Sequence, residues 1–299
     1  MNFFISSRTL SGHFAMLTFS LLVSVSFSLG SIVANQIDPL VITALRFLIA
    51  AGFVFVLFGI NNKASWKDLK KPYRFLVLGA MISIYFVTMF EGLKTADPIS
   101  MSVVFTFTPL MAGLFDFFIS QRRLSVWVWL SVVFGGIGAL WIIFDGDLNK
   151  LTSFQIGYGE GLFFIGCAGH ALYAASIPKF NRGESPLSQT FGTLLGAALI
   201  LSVLGGSRIV STDWHSLNFI VWITLFYLAI FATSATFFLI QFAAVRLSSL
   251  KVMAYTYVVP FWVTILEFFS GRAVISPELL IGGAAIFLSL LFLLINKDY

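Results

Sequence analysis

The sequence predicts an all-α integral membrane protein, with ten transmembrane helices in two inverted five-helix repeats around a central cavity. Three observations predict it. Of the 299 residues 59% are hydrophobic and only 10% charged, with a mean hydropathy of +0.96. A soluble domain carries about 25% charged residues, so much of this surface must face lipid. Ten apolar runs approach the ~20 residues needed to cross a ~30 Å hydrocarbon core. Finally, two stretches 151 residues apart repeat a proline and an acid at the same spacing.

The runs follow one another closely, leaving no room for a soluble domain. Run 14–35 carries Ser20, Ser24, Ser28, Ser31 and Asn35 along one face. It lacks a small-residue cleavage site and nine runs follow it, so it reads as a first span and not a removable signal. Run 39–60 opens on Pro39 and holds Arg46. Run 73–93 aligns Met81, Tyr85, Thr88 and Gly92, and 98–119 carries Pro109 and Asp116. Run 124–144 contains Gly135-Gly136. Run 157–178 is glycine-rich, which lets neighbours approach, and holds His170 and Tyr173. Run 187–206 follows Pro186. Run 217–242 presents Tyr227, Ser234 and Gln241, and 250–270 presents Thr256, Tyr257, Pro260, Thr264 and Glu267. Run 277–295 closes the chain with Gly282-Gly283. Dyad alternation is absent, so a β-barrel is not expected.

Charge orients the spans. With the N-terminus inside, the inner segments hold thirteen of the 18 Lys and Arg residues, including Lys63, Arg122, Arg123 and Lys297. The outer loops hold four, Lys94, Lys150, Arg208 and Arg272, and Arg46 lies within a span. Positive charge stays in the cytoplasm, so both termini are expected there, in a cytoplasmic (inner) membrane. The same distribution accounts for the net charge of +5 without any nucleic-acid partner. Trp66, Trp127, Trp129, Trp141 and Trp214 sit at run ends, where interfacial aromatics belong. A single cysteine, Cys167, excludes an internal disulfide.

The repeat divides the chain into 1–149 and 150–299. FTFTPLMAGLFDFF at 105–118 aligns with TYVVPFWVTILEFF at 256–269, matching Pro109 to Pro260 and Asp116 to Glu267. Gly135-Gly136 matches Gly282-Gly283, and Pro39 matches Pro186, both at an offset of 147. Five spans per half is an odd number, so the halves must be inverted. Inverted repeats place a substrate site near the midplane where they meet.

This pattern resembles the drug/metabolite transporter superfamily, in its EamA-like branch of ten-helix carriers. The resemblance rests on Asp38-Pro39 with Arg46-Phe47, on GLKTADPISMSVVFTFTPLMAGLFDFF, on GGIGALWIIF, and on the second copy AAVRLSSLKVMAYTYVVPFWVTILEFF. It implies a carrier of amino acids or related amphipathic metabolites. Members usually carry a glutamate just after the fourth and ninth spans. Here those places hold Arg122 and Arg272 or Ala273, and the acids stand about two turns earlier.

Polar residues at membrane depth are costly and need partners or a wet cavity. Arg46 lies ~10 Å down its run, near Asp38 and Glu91. It reads as a structural pair with them, as a side chain snorkelling toward the outer interface, or as a clamp for a substrate carboxylate. Asp116 and Glu267 share a helix face with Pro109 and Pro260, whose freed carbonyls can line a cavity. The two acids are either helix-end polarity or gating and coupling groups. His170 lies near the midplane with Tyr173 on its face, and is either helix glue or a binding and proton-coupling residue. The candidate substrate contacts are His170, Tyr173, Tyr85, Thr88, Gln241, Tyr257 and Ser28. Candidate gating or coupling residues are Asp116, Glu267, Arg46, Glu91, Pro109 and Pro260.

No phosphate-binding GxxxxGK[ST], HExxH or GxSxG motif occurs. The expected function is therefore a gradient-driven secondary transporter of small metabolites, working by alternating access. Its partners are a small-molecule substrate, lipid, and a proton or counter-substrate, with no cofactor and no metal. A passive channel or an intramembrane enzyme would be the alternatives; the second needs a reactive cluster that the sequence does not show.

Overall fold

The computed structural model describes residues 7–60, 66–120, 125–144, 146–149 and 156–295. Lys63, Arg122, Arg123, Lys150 and Lys297 lie outside the described residues. The described residues form helices and no strand. Span one is Ser7–Val33, span two Pro39–Ile60 and span three Tyr73–Gly92. Span four is Pro98–Phe105 continued by Thr108–Ser120, and span five is Val126–Ile143. Span six is Tyr158–Phe180 and span seven Pro186–Ser211. Span eight joins Phe219–Ala229, a π-helical turn at Ile230–Ala235, and Thr236–Ala244. Span nine joins Ser249–Ala254, a 3-10 turn at Tyr255–Val258, and Val259–Phe269. Span ten is Pro277–Ile295. Among the described residues nine of these are long and apolar enough to cross a membrane, and span ten adds a shorter apolar helix.

The starts of the helices are written in the sequence. Asp38 accepts the Leu40 N–H at 2.8 Å, Asp97 the Ser100 N–H at 2.9 Å, and Ser185 the Ser188 N–H at 3.1 Å. Each satisfies an amide that an opening helix leaves without a partner. A proline follows each cap, where its missing N–H costs nothing.

Spans four and nine break at the same repeat position. Pro109 cannot donate to the Phe105 carbonyl, and Pro260 cannot donate to that of Thr256. At the first break the Thr108 hydroxyl takes over, donating to the Phe105 carbonyl at 2.7 Å. The Thr256 hydroxyl, 3.0 Å from Thr108 Oγ1, joins the two broken spans at their crossing. The first part of span four packs on the last part of span nine, and the last part of four on the first of nine. The two therefore run antiparallel, as inverted repeats require.

The other packing obeys the same symmetry. Span three lies along six and span one along eight; two pairs with seven, and five with ten. Lipid tails are as apolar as leucine, so close approach rather than hydrophobicity must hold helices together. At the five–ten seam a Cβ on Gly138 would stand 2.9 Å from the Gly282 carbonyl oxygen. Ser289 donates to the Ser131 carbonyl along the same seam. Span six uses Gly159 against Gly92, and Gly166 and Gly169 against span three, whereas Gly161 meets no neighbour. Large apolar side chains such as Val203, Val210 and Phe269 point outward and are exposed, which makes this a multi-pass membrane protein.

Candidate functional site

The halves meet at a box of aromatic rings. Span one contributes Phe19, Val23 and Ser26, and span three Tyr85 and Phe86. Span six adds His170 and Tyr173, and span eight Ala232, Thr236, Phe237 and Ile240. The enclosed space is about 10 Å³, room for about one water. The central cavity is thus drawn nearly shut by side chains. His170 stacks on Tyr85 with centroids 4.6 Å apart and rings inclined 26°. Phe105 leans on His170 at 5.3 Å. The Tyr173 hydroxyl accepts from Gln241 Nε2 at 3.0 Å.

The box is apolar but not fully satisfied. His170 Nδ1 and Gln241 Oε1 are buried with no hydrogen-bond partner among the described residues. A buried polar group left without a partner costs about 1–3 kcal/mol. That cost falls where a ligand could remove it.

Arg46 lies just behind this box and is fully buried. Its Nε donates to the Thr233 hydroxyl, and its Nη2 donates to the Ala232 carbonyl at 2.7 Å. The guanidinium carbon lies 3.8 Å from the centroid of Phe86, so the ring face adds a cation–π contact. Both oxygens belong to the π-helical turn, a geometry that is rare and frequent at functional sites. Neither expected carboxylate reaches Arg46. Asp38 binds Arg208 at 2.9 Å, and Glu91 binds Lys94 at 2.9 Å. A structural pair of Arg46 with Asp38 or Glu91 is therefore corrected to a cage of backbone, hydroxyl and ring.

The repeat, the broken spans and the box agree with the comparison to known families. The sequence profile described as EamA-like transporter family matches residues 10–144 and 157–295. The chain belongs to the EamA-like transporter family. It is also 23% identical over 223 residues to an uncharacterized transporter, YyaM, of Bacillus subtilis (strain 168), covering 74% of this chain and 73% of that one. A second uncharacterized transporter, from Methanothermobacter thermautotrophicus, is 23% identical over 158 residues, covering 48% of this chain and 46% of that one. A protein crystal structure shares the fold with a TM-score of 0.71 at 21% identity, covering 96% of each chain.

In this EamA-like transporter the sequence-selected residues divide into groups. His170, Tyr173, Tyr85 and Gln241 converge on the box from spans three, six and eight. Thr88 lies one turn beyond it, donating to the Ile84 carbonyl at 2.8 Å. Tyr257 packs instead against Gly135 and Ser289 at the five–ten seam. Ser28 is buried and its hydroxyl has no partner among the described residues, but the face of span one toward the box is Phe19, Val23 and Ser26. Asp116 and Glu267 are both buried, at opposite ends of the antiparallel pair of spans four and nine. Glu267 accepts from Arg272 at 3.0 Å. Pro109 and Pro260 set the two breaks. Phe19, Phe86 and Phe237 escaped the sequence reading, because nothing in composition separates them from the other 32 of 35 phenylalanines.

Each end of the EamA-like bundle is tied across the halves. At one end Arg74 Nη2 binds Glu184 at 2.7 Å; Arg74 is buried and the Glu184 side chain is largely covered. Arg74 also donates to the Phe180 carbonyl at 2.6 Å and to that of Lys70 at 2.9 Å. Beside them Ser188 donates to Asp68 at 2.7 Å. Burial raises the Glu184 carboxyl, but hydrogen bonds from Arg74 and from the Arg182 amide outweigh it, leaving the group below the usual glutamate value. At the other end, the Asp38–Arg208 pair is open to solvent.

Proposed function

We propose that this EamA-like transporter is a secondary carrier of small amphipathic metabolites, amino acids or related solutes, and that it works by alternating access. The carrying observation is the nearly closed aromatic box at the junction of two inverted halves, with an inter-half tie at each end. Rocking one half against the other would open one tie while keeping the other, exposing the box to one side at a time. The chain lies in the cytoplasmic membrane with both termini inside, which puts the Arg74–Glu184 tie on the cytoplasmic face and Asp38–Arg208 on the outer face. A proton or counter-substrate gradient drives the cycle, with His170 either binding substrate or carrying the proton.

Counterflow into proteoliposomes tests the carrier. Solutes chosen by thermal shift should enter saturably and faster when the same solute is preloaded; flux that never saturates indicates a channel. His170→Gln separates the two roles of the histidine. Lost accumulation with retained exchange indicates coupling, and weakened affinity at every pH indicates binding. Impermeant thiol labelling of intact cells, in a Cys167→Ala background, should reach a cysteine at Asn149 and not one at Lys67.

A further inference from the structure

Arg46 poses a problem that the carrier reading leaves open. A guanidinium removed from water costs several kcal/mol unless a counter-charge and full hydrogen bonding offset it. Among the described residues Arg46 forms no ion pair, and Asp38 and Glu91 are held by Arg208 and Lys94. Its donors to Thr233 and Ala232 reach neutral acceptors. Its Nη1 is buried and has no hydrogen-bond partner among the described residues. The turn that holds it is π-helical, a departure that in membrane carriers accompanies binding sites on interrupted helices.

Position supplies the second half of the argument. The two residues that bracket the guanidinium, Phe86 by its ring and Ala232 by its carbonyl, both also line the central box. Phe86 and Ala232 therefore touch the guanidinium and also line the enclosed space. The box itself is lined by Phe19, Tyr85, His170 and Phe237, which suit an apolar or aromatic body.

We propose that Arg46 is the counter-charge for an anionic substrate, a carboxylate carried on an apolar or aromatic body. Phe86 is the shutter that turns aside to let the carboxylate reach it. This rests on the carrier reading and names the class of solute it takes. The carboxylate would bring a charge-assisted hydrogen bond to Arg46 Nη1. The aromatic body would replace the ring contacts now closing the box.

The test compares three probes that share a phenethyl body on the purified protein in lipid nanodiscs: 3-phenylpropionate, its neutral amide, and phenethylamine. The carboxylate should bind at least about tenfold more tightly than the amide, the cost of an unpaired buried charge being larger than that. Arg46→Gln should abolish this preference while keeping the amide's affinity. Arg46→Lys should keep the preference with weaker binding, because an ammonium retains the charge but not the fork. It carries the test if the glutamine variant does not fold. Phe86→Ala should speed association of the carboxylate.

Equal loss of all three probes in Arg46→Gln would reduce the arginine to a pin for the π turn and overturn the proposal. So would wild-type protein that prefers the amine, or that binds no carboxylate at millimolar concentration. Binding with the predicted preference but no movement of 3-phenylpropionate into proteoliposomes would leave the site standing and remove the carrier reading. Saturable transport of other solutes, indifferent to Arg46→Gln, would do the reverse.

Discussion

The two ends of the bundle are tied by the same chemistry used in different ways. Arg74 and Glu184 are 2% and 6% exposed, whereas Arg208 and Asp38 are 59% and 34% exposed. The buried arginine spends its other donors on the carbonyls of Phe180, Lys70 and Asp68. The exposed pair makes one contact, and water competes for both partners. A buried, hydrogen-bonded pair is costly to break from one side, while an exposed pair is worth little. If the halves rock as proposed, the Arg74 end would resist opening more than the Asp38 end. In the orientation proposed above, outward opening would then be the easier one.

Breaking the strong end should have the largest effect. Glu184→Gln leaves Arg74 buried without its counter-charge, at a cost of about 3–5 kcal/mol. The expected result is a marked fall in thermal midpoint and new thiol reactivity at box cysteines from the Arg74 side. A midpoint unchanged by this variant would erase the asymmetry.

The weak end is held more by packing than by charge, and this can be checked separately. A Cβ on Gly92 would stand 2.7 Å from the Gly159 carbonyl oxygen, so spans three and six touch backbone to backbone there. Gly159→Ala should force them apart and cost about 1–3 kcal/mol. Reactivity should then increase from the Asp38 side, the opposite of Glu184→Gln.

Acid should release the two ends differently. A carboxyl held below its unfolded value contributes fully above that value and loses its contribution as pH falls through the lower, folded one. The Glu184 tie is such a case. The thermal midpoint should therefore be flat in this respect from about pH 8 to pH 5 and decline below about pH 4. Glu184→Gln should remove that acid-side decline. A retained decline would place its origin at another carboxylate.

The smallest effect is expected at the exposed pair. Arg208→Ala should cost about 0–1 kcal/mol, and salt should shrink it further. Arginine is the partner to remove, because Asp38 also caps span two through the Leu40 amide. A loss as large as that of Glu184→Gln would mean that the two ties are equal after all.

Most of the fold was legible because membrane helices declare themselves by length and apolarity, and because the repeat spaces Pro109, Asp116, Pro260 and Glu267 identically. The positions of His170, Tyr173, Tyr85 and Gln241 were legible for a related reason. Few polar or titratable residues stand near mid-span, and helical spacing puts them on inward faces. The cage around Arg46 was not legible. Its acceptors are a backbone carbonyl and a hydroxyl 186 and 187 residues away, set by a π turn that leaves no mark in composition. The same holds for Ser26 facing the box instead of Ser28: a helix's rotation is fixed by neighbours, and span one has serines on more than one face.

The crossing of spans four and nine has a consequence for how the halves could diverge. In a pair of identical subunits related by a two-fold axis, every contact across the axis would occur twice. Here Thr108 and Thr256 share a hydrogen bond at the crossing, but their repeat equivalents, Val259 and Phe105, are apolar and fully buried. Covalent linkage keeps the halves at a high effective concentration, on the order of millimolar or more for a short connection. Neither face must then recognise itself to assemble. Freed from self-complementarity, one copy of the contact has become polar and the other greasy, giving a symmetric machine a crossing whose two sides are chemically distinct.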